Sequence, residues 1–527
     1  MQARSLARAA VLVGIAYVLS NLTGLGQRII VTSRFGTSVE YDAFNAAFRI
    51  PDLLFSLLAG GALASAFIPT FTARLSLAQQ ALAWRLAAVI AILVFIIMTA
   101  VAAAAALLAP FLVRTIIAPG FHDESEVALT VALMRVMLIS TVIFGVSGLL
   151  MGVLQSNNSF LAPAIAPSLY NIGIIFGAVV LSGQGIYGVA LGVVLGSALH
   201  LVIQVPALLR ILSGRGSAPG RSVFSSRELR DDVRNVVRLM LPRIVGLGAV
   251  QVNLIVTVAL ASGMGEGAVS ALNIAFATLI LPQAAIAQAT ATVLFPTISA
   301  HAARGEHDEF GAALTRAINV VIALSAPASI GLIMLGQPII RLLFQRGTFG
   351  PQSTAAVAFA LMWYGVGLVG HSALEVVTRG FYALHDTLSP VVLSVASMVM
   401  NVALSLILAG VFSSQHLPPY GGLALANSVA TALETLILFA LLARRVPELD
   451  MQQSLVASLK SALASGVMAA ALWAWLSLAG SGNVAALVAI PAGVAVYFGT
   501  AWVLRSDEAL FAARIVRTRL ARHMPLS

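Results

Sequence analysis

From Arg4 to Arg505 the chain is a succession of apolar runs of about twenty residues or more, separated by short polar turns. This pattern constrains the fold more than any single motif. Backbone placed in hydrocarbon must satisfy every N–H and C=O internally, which leaves helices as the natural solution for such runs. The charge content agrees: 9% of the 527 residues are Asp, Glu, Lys or Arg, against about 25% in soluble domains. The expectation is an all-α polytopic membrane protein with about fourteen transmembrane helices. The runs fall at 6–33, 40–73, 82–113, 126–155, 160–182, 186–212, 232–262, 266–300, 312–343, 352–384, 388–412, 420–444, 453–479 and 483–505. They leave no room for a sizeable soluble domain. The first run continues past a signal-peptide length without a small-residue cleavage site and reads as a retained span.

The formal charge of +10 does not point to nucleic acid, because the basic residues sit at span ends and in alternate loops. Arg4 and Arg8, Arg74 and Arg85, the seven arginines of 210–238, Arg304, Arg444 and Arg445, and Arg505, Arg514, Arg517, Arg519 and Arg522 fall on one side. The acidic loop HDESE at 122–126 and Glu266 fall on the other. The positive-inside rule then predicts that both termini are cytoplasmic. The absence of cysteine excludes disulfides and thiolate metal sites, and the eight histidines show no ligand spacing. No Walker-type glycine loop and no Ser/His/Asp arrangement is present, so the expectation is neither an enzyme nor an ATP-driven pump, with no cofactor and no metal.

The chain also repeats itself. FIPTFTA at 67–73 echoes LFPTISA at 294–300, NAAF at 45–48 echoes NIAF at 273–276, PGF at 119–121 echoes RGTF at 346–349, and Asn171 has a counterpart in Asn401. These echoes share nearly one offset. A repeat of six spans is even-numbered, so both copies enter the membrane from the same side and are related by an axis along its normal. The predicted organisation is a six-helix lobe at 1–212, a cytoplasmic linker at 213–231, a second six-helix lobe at 232–446, two additional helices at 447–505 bordering a lipid groove, and a basic tail at 506–527. That is the plan of a two-lobed transporter.

Polar residues on the first two spans are the candidate site. Ser20, Asn21, Gly24, Gln27 and Arg28 recur at helical spacing on the first, and Asp42, Asn45, Arg49, Asp52 and Ser56 step by three or four on the second. Charges, Pro51 and the pair Gly60 and Gly61 are costly in a lipid-facing helix, but are tolerated where a bent helix lines water. Structural readings stand beside this one: Arg49 and Asp52 as an internal ion pair, and Arg28 reaching to an interface. Arg135, Arg243, Glu375 and Arg379 are more isolated and read as structural. Glu266, Ser270 and Asn273 form a milder stripe.

The segment YDAFNAAFRIPDLLFSLLAGGALASAFIPTF at 41–71 resembles the signature of the MurJ (MviN) family, lipid II flippases of the multidrug/oligosaccharidyl-lipid/polysaccharide exporter superfamily. The resemblance continues through APGF at 118–121, GVLQSNNSFLAPAIAPSLYNI at 152–172, FQRGTFG at 344–350 and TRGFYALHDTLSPV at 378–391. It implies two six-helix lobes around a cavity, two final helices beside a hydrophobic groove, and a polyprenyl-diphosphate-linked glycan, lipid II, as cargo among the membrane lipids. A cationic wall suits a pyrophosphate, since arginine offers a planar fork of donors. The chain departs from the family pattern: Asn21 and Gln27 stand where arginines are usual, Arg28 where an acid is usual, and Asp52 in place of asparagine. Phe55 and Ser56 replace an arginine pair, Gly60 replaces glutamate, and Ala277 aligns with a further arginine. Asp42 and Arg49 are retained. Two other classes fit the plan: a multidrug or cation antiporter, which would need an acidic lobe whereas Asn401 and Ser405 share a face without a carboxylate, and a non-transporting scaffold.

Overall fold

The computed structural model describes residues 2–60, 62–77, 79–213, 227–480 and 482–508. Most of the expected linker, most of the basic tail, and Gly61 therefore lie outside the described residues. Every regular element among the described residues is helical. The first helices are α1 (Gln2–Phe35), α2 (Val39–Ala47), α3 (Arg49–Leu54), α4 (Ala62–Ser76), α5 (Gln80–Leu107), α6 (Ala109–Leu112), α7 (Glu124–Ser156), α8 (Leu161–Val179), α9 (Ile186–Val202), α10 (Val205–Ser213) and α11 (Arg227–Ser262). They are followed by α12 (Ala268–Gln283), α13 (Ala289–Arg304), α14 (His307–Phe344), α15 (Pro351–Val366), α16 (Leu368–Ala383), α17 (Leu388–Ser414), α18 (Tyr420–Arg445), α19 (Met451–Ala479) and α20 (Asn483–Val503).

Nine spans among the described residues are long and apolar enough to cross a membrane, and the bent pair α15 and α16, at 47°, makes a tenth. The other expected spans coincide with α1, with the broken stretch from α2 to α4, with α11 and with α20. The repeat reappears in the helix starts: Ala62 and Ala289, Gln80 and His307, Glu124 and Pro351, and Leu161 and Leu388 each lie 227 positions apart.

Local chemistry explains the breaks. Pro51 has no N–H to give the carbonyl of Ala47, so the ladder of α2 stops there and α3 starts a new one. The next turn, Phe55–Gly60, is π-helical. Its counterpart Ala284–Gln288 is also π-helical and follows Pro282. The single run expected at 40–73 is thus three helices and a widened turn, and the one at 266–300 is two helices and a widened turn. Wide turns of this kind are frequent at functional sites.

The chain divides into two compact units, residues 1–269 with 346–349, and residues 270–345 with 350–527. The first unit takes in α11, which the repeat places with the second half. Side chains give the reason. Arg74 at the end of α4 holds Asp232 with two hydrogen bonds of 2.8 and 2.9 Å. Leu229 and Val236 are buried in an apolar cluster with Phe67, Phe71 and Leu86. Two loops fix helix ends reciprocally in this unit. Gly120 donates to Ser262 Oγ at the end of α11 (2.9 Å), and Thr348 donates its N–H to the carbonyl of Ser33 at the end of α1 (2.9 Å). Gly347 has φ +57° and a Cβ there would lie 2.2 Å from the Ser33 oxygen, so only glycine fits. Helices α8 and α9 touch backbone to backbone: a Cβ on Gly173 would meet Gly196 at 2.3 Å, and one on Gly177 would meet the Gly188 carbonyl at 2.2 Å.

The second unit has its main apolar cluster around Phe310, Leu314, Val376, Phe381, Leu438 and Leu442. The last two helices belong to it. Tyr497 of α20 is buried and donates to the Ala323 carbonyl of α14 (2.6 Å), while Leu335, Met468 and Leu472 pack around it. Their outward faces expose Trp473, Leu478 and Trp502, as lipid-facing helices do.

Candidate functional site

The predicted site residues all lie in the first unit, but they do not form one uniform wall. On α1, Asn21 and Arg28 are exposed, and Ser20, Gly24 and Gln27 are half-buried. Asn21 is turned back on its own helix, donating to the Tyr17 carbonyl at 3.1 Å. Ser20 and Gly24 mark the approach of α8. Asn171 Nδ2 donates to the Ser20 carbonyl and to Thr23 Oγ1, both at 3.2 Å, and a Cβ on Gly24 would stand 3.3 Å from that amide. These two positions hold helices together, whereas the exposed Arg28 acts on Tyr41 of α2.

On α2 the residues are deeper. Asp42 and Asn45 are buried. Asp42 Oδ2 accepts from the Gly267 N–H at 2.7 Å, which ties α2 to the loop after α11, and Asn45 Nδ2 donates to the Tyr41 carbonyl at 2.8 Å. The Tyr41 hydroxyl gathers the group: Asn45 hydrogen-bonds it, and Arg28, Asp42 and Arg49 all act on it electrostatically. One turn further, Asp52 is half-buried, attracted by Arg49 and hydrogen-bonded by Gln251 of α11. Gln251 Nε2 also donates to Ser56 Oγ at 2.7 Å, at the start of the π-helical turn. Tyr170 of α8 lies in the field of Asp52. Arg49 therefore acts on both Tyr41 and Asp52, and Asp42 shares with it the surroundings of the Tyr41 hydroxyl.

Periodicity within one helix could not find Tyr170 or Gln251, because each reaches the group by tertiary packing from another helix, whereas Tyr41 stands one turn before Asn45 on the same stripe and the spacing could have found it. A second buried polar group was also missed. Ser147 Oγ lies 2.7 Å from His200 Nδ1 and accepts from Gln204 Nε2 at 2.8 Å. Phe144 is set edge-on against both His200 and Tyr170 and links the two groups. Of the residues read as structural, Arg135 donates to the Ala106 carbonyl at 3.0 Å, and Arg379 sits 3.9 Å from Glu375 one turn away. The side chain of Arg243 lies outside the described residues.

Two arginines, two amides and two phenols around a pair of carboxylates can bind and orient an anion by charge-assisted hydrogen bonds. They offer no activated nucleophile.

Comparison with known proteins supplies the family. Residues 31–492 match the family described as lipid II flippase MurJ. The lipid II flippase MurJ of Burkholderia cenocepacia is 30% identical over 445 residues, covering 81% of this chain and 82% of that protein. The probable lipid II flippase MurJ of Rhizobium meliloti is 31% identical over 511 residues, covering 93% and 92%. Among solved structures, an inward closed conformation of lipid II flippase MurJ superposes with a TM-score of 0.77 at 24% identity, covering 94% of this chain and 99% of that one. An inward-facing multidrug resistance MATE family transporter of the MOP superfamily superposes with a TM-score of 0.68 at 17% identity, covering 84% and 98%. The retained YDAFNAAFRIPD segment, the helical plan and the match over most of its length show that this chain belongs to the MurJ lipid II flippase family.

Proposed function

We propose that this protein carries lipid II, a polyprenyl-diphosphate-linked glycan, from the inner to the outer leaflet of the bacterial cytoplasmic membrane by alternating access. The observation that carries the reading is 31% identity to a probable lipid II flippase over 93% of the chain. In this reading Arg49 and Arg28 receive the pyrophosphate. Ser20, Asn21, Gly24, Gln27, Asp42, Asn45 and Asp52 shape and hold the surface that presents them. Neither arginine needs to move a proton or form a bond: the work is binding and orientation. The apolar faces of α19 and α20 border the groove that takes the polyprenyl tail. Both termini are cytoplasmic, in line with the arginine distribution.

The arginines usual at the Asn21 and Gln27 positions are missing, so fewer cations hold the pyrophosphate than is ordinary for the family. The test is rescue of a bacterium depleted of its own lipid II flippase, paired with flipping of labelled lipid II in vesicles that hold the purified chain. Growth and flipping that are both lost on Arg49→Ala support the reading. A correctly inserted chain that neither rescues growth nor binds lipid II overturns it.

A further inference from the structure

The first turns of α11 carry a feature that the candidate site does not use. Arg227, Arg230, Arg234 and Arg238 step by three or four residues, so they form one ridge about 16 Å long at about 1.5 Å of rise per residue. All four are exposed. The opposite face of the same turns is fixed: Leu229 and Val236 are buried in the apolar cluster with Phe67 and Phe71, and Asp232 is held by the two hydrogen bonds from Arg74. Helical spacing puts those three residues roughly half a turn away from the ridge. Packing against α4 and α5 thus sets the rotation of α11 and turns the arginines outward. Among the described residues none of the four forms an ion pair. Of the acids on these turns, Asp232 is taken by Arg74, and Glu228 acts on Arg74 as well. Asp231, exposed at the edge of the ridge, sets one negative charge against four positive ones.

The surroundings of the ridge say what it meets. α11 continues without a break from Arg227 to Ser262, and its apolar run covers 232–262, so Arg234 and Arg238 stand in the first turns of a span, where headgroups begin. Val237 and Leu239, on either side of Arg238, are exposed. The short helix α10 reaches the same apolar cluster through Leu208 and leaves Leu209, Arg210 and Leu212 exposed. A soluble acidic partner would neutralise the arginines but leave these aliphatic side chains in water. The edge of a leaflet takes both, with phosphates against the guanidinium groups and acyl chains against the valine and leucines. Arginine suits a phosphate in particular, because its planar fork offers two parallel donors to two oxygens.

We propose that the arginine ridge of α11 binds the phosphate headgroups of anionic phospholipids, in the leaflet on the arginine-rich side of the membrane, and that this contact holds the base of α11 at the membrane surface. Such binding requires only that the chain spans a membrane, and it is independent of the cargo.

The test uses the full chain in lipid nanodiscs of phosphatidylcholine, alone or mixed with phosphatidylglycerol. Phosphatidylglycerol should raise the melting temperature of the wild type and should be retained over phosphatidylcholine in native mass spectra, and high salt should weaken both effects. The fourfold variant Arg227→Gln, Arg230→Gln, Arg234→Gln and Arg238→Gln should melt like the wild type in phosphatidylcholine, lose most of the gain from phosphatidylglycerol, and retain several-fold less of it. Lysine at the same four positions should keep part of the gain, since an ammonium still attracts a phosphate without the fork. Arg230→Gln and Arg234→Gln, made singly, should each lower retention, and they decide the matter if the fourfold variant fails to fold. A folded glutamine variant that gains as much from phosphatidylglycerol as the wild type overturns the ridge as the binding surface. Inorganic phosphate that reproduces the gain in phosphatidylcholine would make the ridge a site for free phosphate. Polyglutamate that binds the wild type in phosphatidylcholine and displaces phosphatidylglycerol from mixed nanodiscs would make it a face for an acidic protein. Either result overturns the lipid assignment.

Discussion

Arg49 acts on the Asp52 carboxylate and the Tyr41 phenol, and both have other partners, which decides what its removal does. Without it, Asp42 keeps the Gly267 N–H and Asp52 keeps Gln251, so the fold persists while the cation in the group is lost. Arg49→Ala should lower lipid II affinity by roughly 10- to 100-fold, the range for one charge-assisted hydrogen-bonding group, read by binding of labelled lipid II to the purified protein. Arg49→Lys should recover part of this only, because an ammonium is a point charge without the guanidinium fork. Asp52 stands where the family usually has asparagine and repels any anion held by Arg49. Asp52→Asn should therefore tighten lipid II binding by several-fold, and weaker binding would mean that Asp52 orients Arg49 in a way its neutral replacement cannot.

At the scale of elements, the helices are joined by features that depend on small residues and on caps. Gly173→Ala puts a methyl group against the Gly196 backbone and should force α8 off α9, costing about 1–3 kcal/mol; Gly499→Ala on α20, where a Cβ meets nothing within 4 Å, should leave the melting temperature in detergent unchanged. Asp386 Oδ1 accepts from the N–H groups of Leu388 and Ser389 at 3.0 Å each, closing the start of α17, and its other oxygen takes Ser389 Oγ at 2.6 Å and Arg445 from the end of α18. Asp386→Ala should cost about 1 kcal/mol as a lost cap. A second acid, Glu306, lies in the turn between α13 and α14 beside Arg304 and His301, each at 2.7 Å. The hydrogen bond from Arg304, then the one from His301, holds its carboxyl down to about 2 from a usual 4.5. A depressed carboxyl stabilises the folded state above its unfolded value, and that stability is lost as pH falls through the folded one. The wild type should thus melt higher than Glu306→Gln near neutral pH, and the difference should fade between about pH 4.5 and about pH 2.

For the whole molecule the open quantity is orientation, since the helices alone do not say which ends face the cytoplasm. Arginine density near span ends predicts that the turn after α4 faces inside and the acidic loop before α7 faces outside. Ser76, the last residue of α4, and Ser125, in the first turn of α7, are both exposed and border those two connections. In a chain with no native cysteine, Ser76→Cys should react with an impermeant maleimide only after the membrane is opened, and Ser125→Cys in intact cells. Labelling of both from the same side would overturn the topology and with it the even-numbered repeat.

What the sequence determined by itself is what depends on short range and on solvent. Apolar runs with few charges require membrane helices, arginines at alternate turns predict their orientation, and prolines such as Pro51 break them where an N–H is missing. The common offset of the echoes returns in four pairs of helix starts 227 residues apart. Arg49 and Asp42 were also legible, because charges at helical spacing in an apolar run are costly enough to stand out. The tertiary structure alone decided which of those polar residues bind one another. Asn45, placed by periodicity on the same stripe as Arg49, is buried and turned back to Tyr41, and Ser20 and Gly24 are taken up by Asn171 of α8. Gln251 and Tyr170 reach Asp52 from helices far away in sequence, Glu434 meets Ser394 across 40 positions, and α11 packs with the first unit through Asp232 and Gln251. Partners at such separations follow from how helices cross, and helical periodicity carries no information about which faces will meet.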